Sequence, residues 1–528
     1  MKPIRLVSGF VTVGFWTLAS RLLGFVRDIM IAAYLGTGPV AEAFLIAFSL
    51  PNMFRRFFAE GAFNMAFVPM FSKKLEADDG ALDFARDAFV GMTVILTFVS
   101  ILGIIFMPAL VYAMASGFAG DERFNLAVEY GRLTFPYILF ISLAALLSGV
   151  LNATGRFMAA AAAPVLLNLI FIATILISVA LGRPASEALG MGLDQSLGLR
   201  VGDSLALSVP LAGAAQMALV WWAAARAGFP LRFRRPRMTP ELKRLAIIAA
   251  PAALAGGVVQ INLLVGRQVA SFFDGAVAWL NYADRLYQLP LGVVGIAIGI
   301  VLLPDLSRRL RAGDTAGGRD AFNRAMELSL ALTIPAAAAL IVMPVPLVSV
   351  LFERGAFGTD DTAATAMAVA VYGMGLPAFV LQKALLPLFF AREDTRRPFY
   401  YALVALVVNA GLAIGLSTYI GFIAAAFGTT LAGWATVAQL AWGARGMGDA
   451  ARTDARFRGR LWRIVLASVL MGVVLAASMV LLNPFFGIPH LRYAALALLI
   501  LLGVVTYGVV GQMLGAFRLG DFRRALRR

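Results

Sequence analysis

The sequence predicts an all-α, polytopic membrane protein of about 14 transmembrane helices, and three observations predict it. Of 528 residues, 61% are hydrophobic and only 14% charged, against roughly 25% charged in soluble domains. Mean hydropathy is +0.84. Apolar runs of about 20 residues or more, the length that crosses a bilayer, recur along the whole chain.

The first run, 7–34, follows Lys2 and Arg5 as a signal peptide would. It is too long for one, contains Arg21 and lacks an A-x-A cleavage site, so it is expected to remain as the first span. The second, 40–71, is too long for a straight crossing; Pro51 is expected to kink it and Pro69 to mark its far end. Six further runs, 88–115, 127–152, 160–182, 204–226, 244–272 and 276–306, are set off by charged or turn-forming connections. The last six, 322–350, 362–390, 398–418, 421–444, 462–482 and 492–516, follow the same pattern. His490, beside Pro489 in the final connection, is expected at the surface.

The chain repeats itself. Arg86-Asp87-Ala88-Phe89 returns as Arg319-Asp320-Ala321-Phe322, and Pro69-x-x-Ser72-Lys73-Lys74-Leu75 as Pro304-x-x-Ser307-Arg308-Arg309-Leu310. Met107-Pro108 returns as Met343-Pro344, and Leu167-Asn168 as Val408-Asn409. The matches keep their order at nearly one spacing, which covers an even number of spans. That predicts two six-helix lobes as a parallel repeat plus two C-terminal helices, an organisation used by alternating-access transporters. The expected divisions are 1–228, 229–450 and 451–528.

Placing the N-terminus in the cytoplasm puts 32 of the 45 Lys and Arg residues on the inside, 5 outside and 8 within spans. This split follows the positive-inside rule with both termini cytoplasmic. It also accounts for the net charge of +16 as a basic coat on the cytoplasmic face, where anionic lipids attract it. The basic clusters lie at membrane edges without interleaved stacking aromatics, which argues against nucleic acid.

Several chemistries are excluded. There is no cysteine, so no thiolate metal site can be assembled, and the lone histidine, in a short loop beside a proline, is read as neither a zinc site nor part of a triad. No G-x-x-x-x-G-K-[ST] is present, so no ATP-hydrolysing P-loop is expected. No metal or cofactor is expected. Asp78-Asp79 and Asp360-Asp361 read as solvated loop charges rather than a catalytic pair.

The eight cations within spans are Arg21, Arg27, Arg55, Arg56, Arg132, Arg267, Arg285 and Lys383; the acids are Asp28, Glu42, Glu60, Glu129 and Asp284. An arginine at the bilayer centre costs at least about 2.5 kcal/mol and faces a partner or a wet cavity. Glu42, Glu129, Arg132 and Arg267 lie near span ends and are expected to reach water. Arg21 and Asp28 are about 10 Å apart along a helix, too far for a tight pair. Arg56 and Glu60 can pair at i,i+4. Interhelical salt bridges are one reading of this set. The excess of cations favours another, a chamber for an anionic cargo, because guanidinium binds phosphate bidentately and keeps its charge. Gly24, one turn from Arg21, and Gly36-Thr37-Gly38-Pro39 read as packing and turn residues.

The stretches Ser20-Arg21-Leu22-Leu23-Gly24-Phe25-Val26-Arg27-Asp28 and Pro51-Asn52-Met53-Phe54-Arg55-Arg56-Phe57-Phe58-Ala59-Glu60-Gly61-Ala62-Phe63, with Tyr282-Ala283-Asp284-Arg285-Leu286, resemble the MurJ (MviN) family. Its members are bacterial lipid II flippases of the multidrug/oligosaccharidyl-lipid/polysaccharide exporter superfamily. The resemblance covers nearly the whole chain. It implies a multi-pass protein of the bacterial inner membrane that is not an enzyme. It implies as cargo the undecaprenyl-pyrophosphate-linked disaccharide pentapeptide, with membrane lipids and cell-wall synthesis proteins as candidate partners. It implies that Arg21, Arg27, Arg55 and Arg285 line a cationic cavity, with Arg56 adjacent and Asp28, Glu60, Gly24 and Asp284 in support. The extra helix pair would hold the lipid tail. The alternative is a flippase or exporter of another anionic polyprenyl-linked glycan or a drug. Two departures stand out: Glu42, where the family often has Asp, and a long polar segment, Arg183–Asp203.

Overall fold

The computed structural model describes residues 6–55, 64–189, 201–231 and 234–517. Side chains are described over 12–55, 66–180, 201–231, 234–249, 260–292, 305–309 and 312–517. The predicted all-α class holds: the described residues form helices, with one isolated bridge between Arg354 and Phe357. A helix satisfies its own backbone, which hydrocarbon demands.

The chain separates into two compact units. The first is Met1–Ala278 together with Arg354–Phe357, and the second is Trp279–Glu353 together with Gly358–Arg528.

The first unit holds α1 (Leu6–Leu35), α2 (Pro39–Arg55), α3 (Asn64–Glu76), α4 (Ala81–Ile105), α5 (Met107–Met114), α6 (Glu122–Thr134), α7 (Tyr137–Ala153), α8 (Met158–Leu189), α9 (Val201–Arg226) and α10 (Pro240–Ala270). Helix α9 packs on α6, α7 and α8, α8 packs on α1, and α2 packs on α6. Helix α10 joins this unit because it packs on α3, α4 and α5. At one end of the unit Arg234 bonds Asp87 at 2.8 Å and Asp83 at 3.0 Å. The hydrogen bond from Asp87 leads in holding the Arg234 guanidinium above its ordinary value, ahead of the opposing effect of burial and the attraction of Asp83.

The second unit holds most of α11 (Ala276–Arg311), then α12 (Thr315–Val342), α13 (Pro344–Phe352), α14 (Thr359–Phe390), α15 (Arg396–Ile420), α16 (Ile423–Ala444), α17 (Ala455–Phe486) and α18 (Leu491–Met513). Its main core gathers Phe322, Met326, Leu330, Leu388, Phe389 and Leu440. Helix α17 packs on α12 and α18, sealed by Met471, Leu475 and Leu499. Asp454 caps α17 by accepting from the Phe457 amide at 2.6 Å, and it pairs with Arg324.

Each predicted span coincides with one helix or with two. The broken ones are informative. The run 88–115 divides into α4 and α5 at Phe106, with Pro108 in the first turn of α5. The run 322–350 divides into α12 and α13 at Met343, with Pro344 opening α13. The repeated Met-Pro therefore breaks both helices alike, because proline suits a helix's first turn and not its interior. Asn168 and Asn409, also repeat counterparts, are both buried.

Ten helices among the described residues are long and apolar enough to cross a membrane. The remaining predicted spans, 7–34, 40–71, 244–272 and 276–306, carry Arg21, Arg27 and Asp28, then Arg55, then Arg267, and then Asp284 and Arg285. Pro69 does not mark a far end: it lies inside α3, which continues to Glu76. The polar segment Arg183–Asp203 begins as helix, since α8 runs to Leu189 and α9 starts at Val201; residues 190–200 lie outside the described residues. Asp361 is not a loop charge. It stands in the first turn of α14, accepting from the Gly358 amide at 2.9 Å and from Trp279 Nε1 at 2.8 Å, which satisfies an otherwise orphaned helix-start donor.

Candidate functional site

Helix α1 carries four of the predicted site residues, Arg21, Gly24, Arg27 and Asp28, and their environments differ. Arg21 is exposed at the middle of the helix, on a stripe with Leu18 and Leu22. Its side chain makes no hydrogen bond or ion pair with any other described residue. Arg27 is buried, at 6% exposure, and so is Asp28, at 4%. Arg27 donates to Asp28 Oδ1 from Nε at 3.0 Å and from Nη2 at 2.8 Å. Its third direction is taken by Asn168 of α8, whose Oδ1 accepts from Nη1 at 3.0 Å. The guanidinium also lies 5.5 Å from the Phe171 ring centre and 6.0 Å from that of Phe48.

Asn168 is itself fixed. Its Nδ2 donates to the Ser20 carbonyl at 2.9 Å. A methyl group on Gly24 would meet Asn168 at 3.5 Å, an ordinary contact, so Gly24 faces Asn168 but the packing there does not demand glycine. In the sequence Asn168 stands out only as a repeat marker; as the partner of Arg27 it emerges from the structure. The signal was available: a buried amide within an apolar run must find a partner.

Arg55 is half-buried in the last turn of α2. Arg56 and Glu60 lie outside the described residues, so their expected pairing does too. In the second unit Asp284 and Arg285 are half-buried on α11. Asp284 accepts from Gln288 one turn on. Tyr287 packs at a tilt against the rings of Tyr372, at 5.0 Å, and Phe379, at 5.6 Å, fixing this turn of α11 against α14.

Of the groups expected to reach water, Glu129 and Arg132 are exposed. Glu42 is not; it is 1% exposed. Arg123 Nη1 approaches it at 3.0 Å, and the Val277 amide donates to Oε1 at 3.0 Å. Arg123 also pairs with Asp274 at 2.9 Å and Asp121 at 2.5 Å, and lies 4.6 Å from the Phe118 ring centre. With a cation and a backbone donor at hand, Glu42 has no need of water, and it ties α2 to Arg123 of α6 and to the Val277 backbone. For Asp121, burial acts to raise the carboxyl, but the Arg123 hydrogen bond and charge together hold it below the ordinary value.

The segment 354–357 docks on the end of α1. The Ala356 amide donates to the Ala33 carbonyl at 2.8 Å. Gly36 has φ +66°, and a methyl group there would meet the Ala356 carbonyl oxygen at 2.6 Å. Gly355 has φ +60°, with the Ala33 carbonyl oxygen in the way of any side chain. Both positions need glycine on two counts.

This set can hold anions but offers little for bond-breaking chemistry. Among the described residues no group of three or more His, Cys, Asp or Glu side chains could hold a metal ion.

Comparison with known proteins agrees with the architecture. The family model described as "Lipid II flippase MurJ" matches residues 31–506. A probable lipid II flippase of Rhizobium meliloti (strain 1021) is 44% identical, covering 99% of this chain and 97% of that protein. One from Rhizobium tropici is 42% identical with the same coverage, 99% and 97%. Among solved structures, a lipid II flippase in an inward closed conformation superposes with TM-score 0.76 at 24% identity, covering 98% of this chain and 100% of that one. An inward-facing multidrug resistance transporter of the MATE family, described as of the MOP superfamily, gives TM-score 0.66 at 16% identity, covering 83% of this chain and 96% of that one. At these identities the two structures speak for the fold. The family-model match and the full-length relatives establish that this chain is a multi-pass membrane protein of the MurJ lipid II flippase family.

Proposed function

We propose that the protein translocates lipid II, an undecaprenyl-pyrophosphate-linked peptidoglycan precursor, from the inner to the outer leaflet of the bacterial inner membrane. The observation that carries this reading is Arg21, a guanidinium at mid-helix without a partner among the described residues, in a chain whose full-length relatives are named lipid II flippases. Such a group rarely faces hydrocarbon, and a diphosphate offers it paired acceptor oxygens.

In this reading Arg21, Arg55 and Arg285 replace water around the pyrophosphate, with Arg56 adjacent and Glu60 and Asp284 setting local charge. Arg27 acts from behind: with Asp28 and Asn168, and with Gly24 facing Asn168 in support, it fixes the turn that presents Arg21. The polyprenyl tail stays in lipid along the C-terminal helix pair. The lobes alternate access, both termini are cytoplasmic, and the cargo leaves chemically unchanged. An interior-negative potential favours outward movement of the anion by roughly 2.3 kcal/mol per charge per 100 mV. Cell-wall synthesis proteins that consume the product are the partner class implied.

The test is leaflet accessibility of labelled lipid II in liposomes containing only this protein. Protein-dependent appearance in the outer leaflet, with the label on intact lipid II, supports the reading. Cleaved or extended product would point to a transferase instead.

A further inference from the structure

A second cationic feature lies in the first unit, away from Arg21 and Arg27. A cavity of about 480 Å³ opens where the α7–α8 turn meets the end of α9 and the early part of α1. This is a size that suits small ligands. Two of its lining residues are Arg156, in the turn, and Arg226, in the last turn of α9. Arg156 Nη1 donates to the Arg226 carbonyl at 3.3 Å, so the two residues are held together. The Arg226 guanidinium lies 4.1 Å from the Trp222 ring centre. No acidic residue lines the cavity, and neither arginine pairs with a carboxylate among the described residues. Two neighbouring cations without a counter-charge repel each other, so an anionic occupant would relieve the site.

The remaining wall indicates which anion. Phe157, Met158 and Trp222 line the same cavity, with Met158 64% and Trp222 54% exposed. A large indole beside basic residues at the end of a span is the chemistry of the membrane–water interface. The adjoining 228–239 loop is strongly basic and is expected to face the cytoplasm. A soluble phosphate would leave these apolar surfaces unused, whereas a phospholipid covers them with its glycerol and upper acyl chains.

We propose that this cavity binds the phosphate of an anionic phospholipid of the inner leaflet, with Arg156 and Arg226 as ligands and Trp222 as the apolar wall. The site is separate from cargo binding and does not depend on which lipid-linked molecule is moved.

The test is native mass spectrometry of the full-length protein titrated with phosphatidylglycerol or phosphatidylcholine. The wild type should retain one phosphatidylglycerol in preference to phosphatidylcholine. The pair Arg156→Gln and Arg226→Gln should weaken that retention roughly thirtyfold, on about fivefold per basic residue. The pair Arg156→Lys and Arg226→Lys should largely keep it, which guards against misfolding of the glutamine pair. Unchanged retention in the glutamine pair would overturn the proposal. So would an equal loss from Arg445→Gln with Arg458→Gln, which would mean diffuse attraction. Displacement by inorganic pyrophosphate would instead assign the site to a soluble anion, and displacement by a short-chain polyprenyl pyrophosphate would make it part of the cargo path.

Discussion

Asp28→Asn removes a charge from a buried pair while keeping the side chain's shape, so it isolates the electrostatics of the α1–α8 contact. In the wild type two Arg27 nitrogens bond Asp28, at 2.8 and 3.0 Å, within a site 6% and 4% exposed. Removing one partner of a buried pair costs about 3–5 kcal/mol, mostly from the charge left behind. Asn168 and the rings of Phe48 and Phe171 remain to moderate it, the rings contributing about 0.5–1 kcal/mol. The expected loss is therefore near the lower end, about 3 kcal/mol. Arg27→Met should cost a similar amount, because it leaves a buried carboxylate without its guanidinium. The double variant should lose much less than the sum, with a coupling energy of about 2–3 kcal/mol. Reversible unfolding in mixed detergent micelles, followed by tryptophan fluorescence, measures all four proteins. Additive losses, with coupling below about 0.5 kcal/mol, would refute the pairing.

The other predictions are briefer. Arg21→Ala and Arg285→Ala should each abolish translocation while leaving the protein inserted, and Arg21→Lys should restore only part of it because an ammonium cannot form the bidentate bond; proteoliposome flux measures this. Collapsing the membrane potential at constant ion gradients should slow outward flux, and unchanged turnover would contradict the sign argument. Asp121 titrates lower in the folded protein than in the unfolded chain, so its contribution is present above the ordinary carboxylate value, about 3.9, and is lost as pH falls through the lower folded value. The stability difference between wild type and Asp121→Asn should accordingly hold constant down to about pH 4 and shrink below it, read by thermal melts across pH. Gly355→Ala should loosen the 354–357 segment from α1, seen as faster amide exchange at Ala356, whose N–H donates to Ala33.

The spans were legible because hydrophobic length is a local property, and the breaks at Met107-Pro108 and Met343-Pro344 because proline acts on its own helix. The pairings were not legible. Arg27 and Asp28 are neighbours in sequence, and rules for helical side-chain pairs concern residues three or four apart. The structure joins them because a third group, Asn168 from α8, closes the site. Glu42 sat near the end of an apolar run and so appeared free to reach water. Its partner Arg123 comes from the first turn of α6 and its backbone donor from Val277, and only the fold brings these together. Pro69 suggested a helix end but lies within α3, where the packed helix runs on to Glu76 without the bond that a residue-69 amide would make.

Guanidinium groups receiving a diphosphate are the central claim, and binding measures that more directly than flux. Affinity for a short-chain polyprenyl pyrophosphate and for its monophosphate should be determined by titration calorimetry on wild type, Arg21→Ala and Arg21→Lys. Wild type should prefer the pyrophosphate, the alanine variant should lose that preference, and the lysine variant should keep part of it. Equal affinity of all three proteins for both ligands would contradict it.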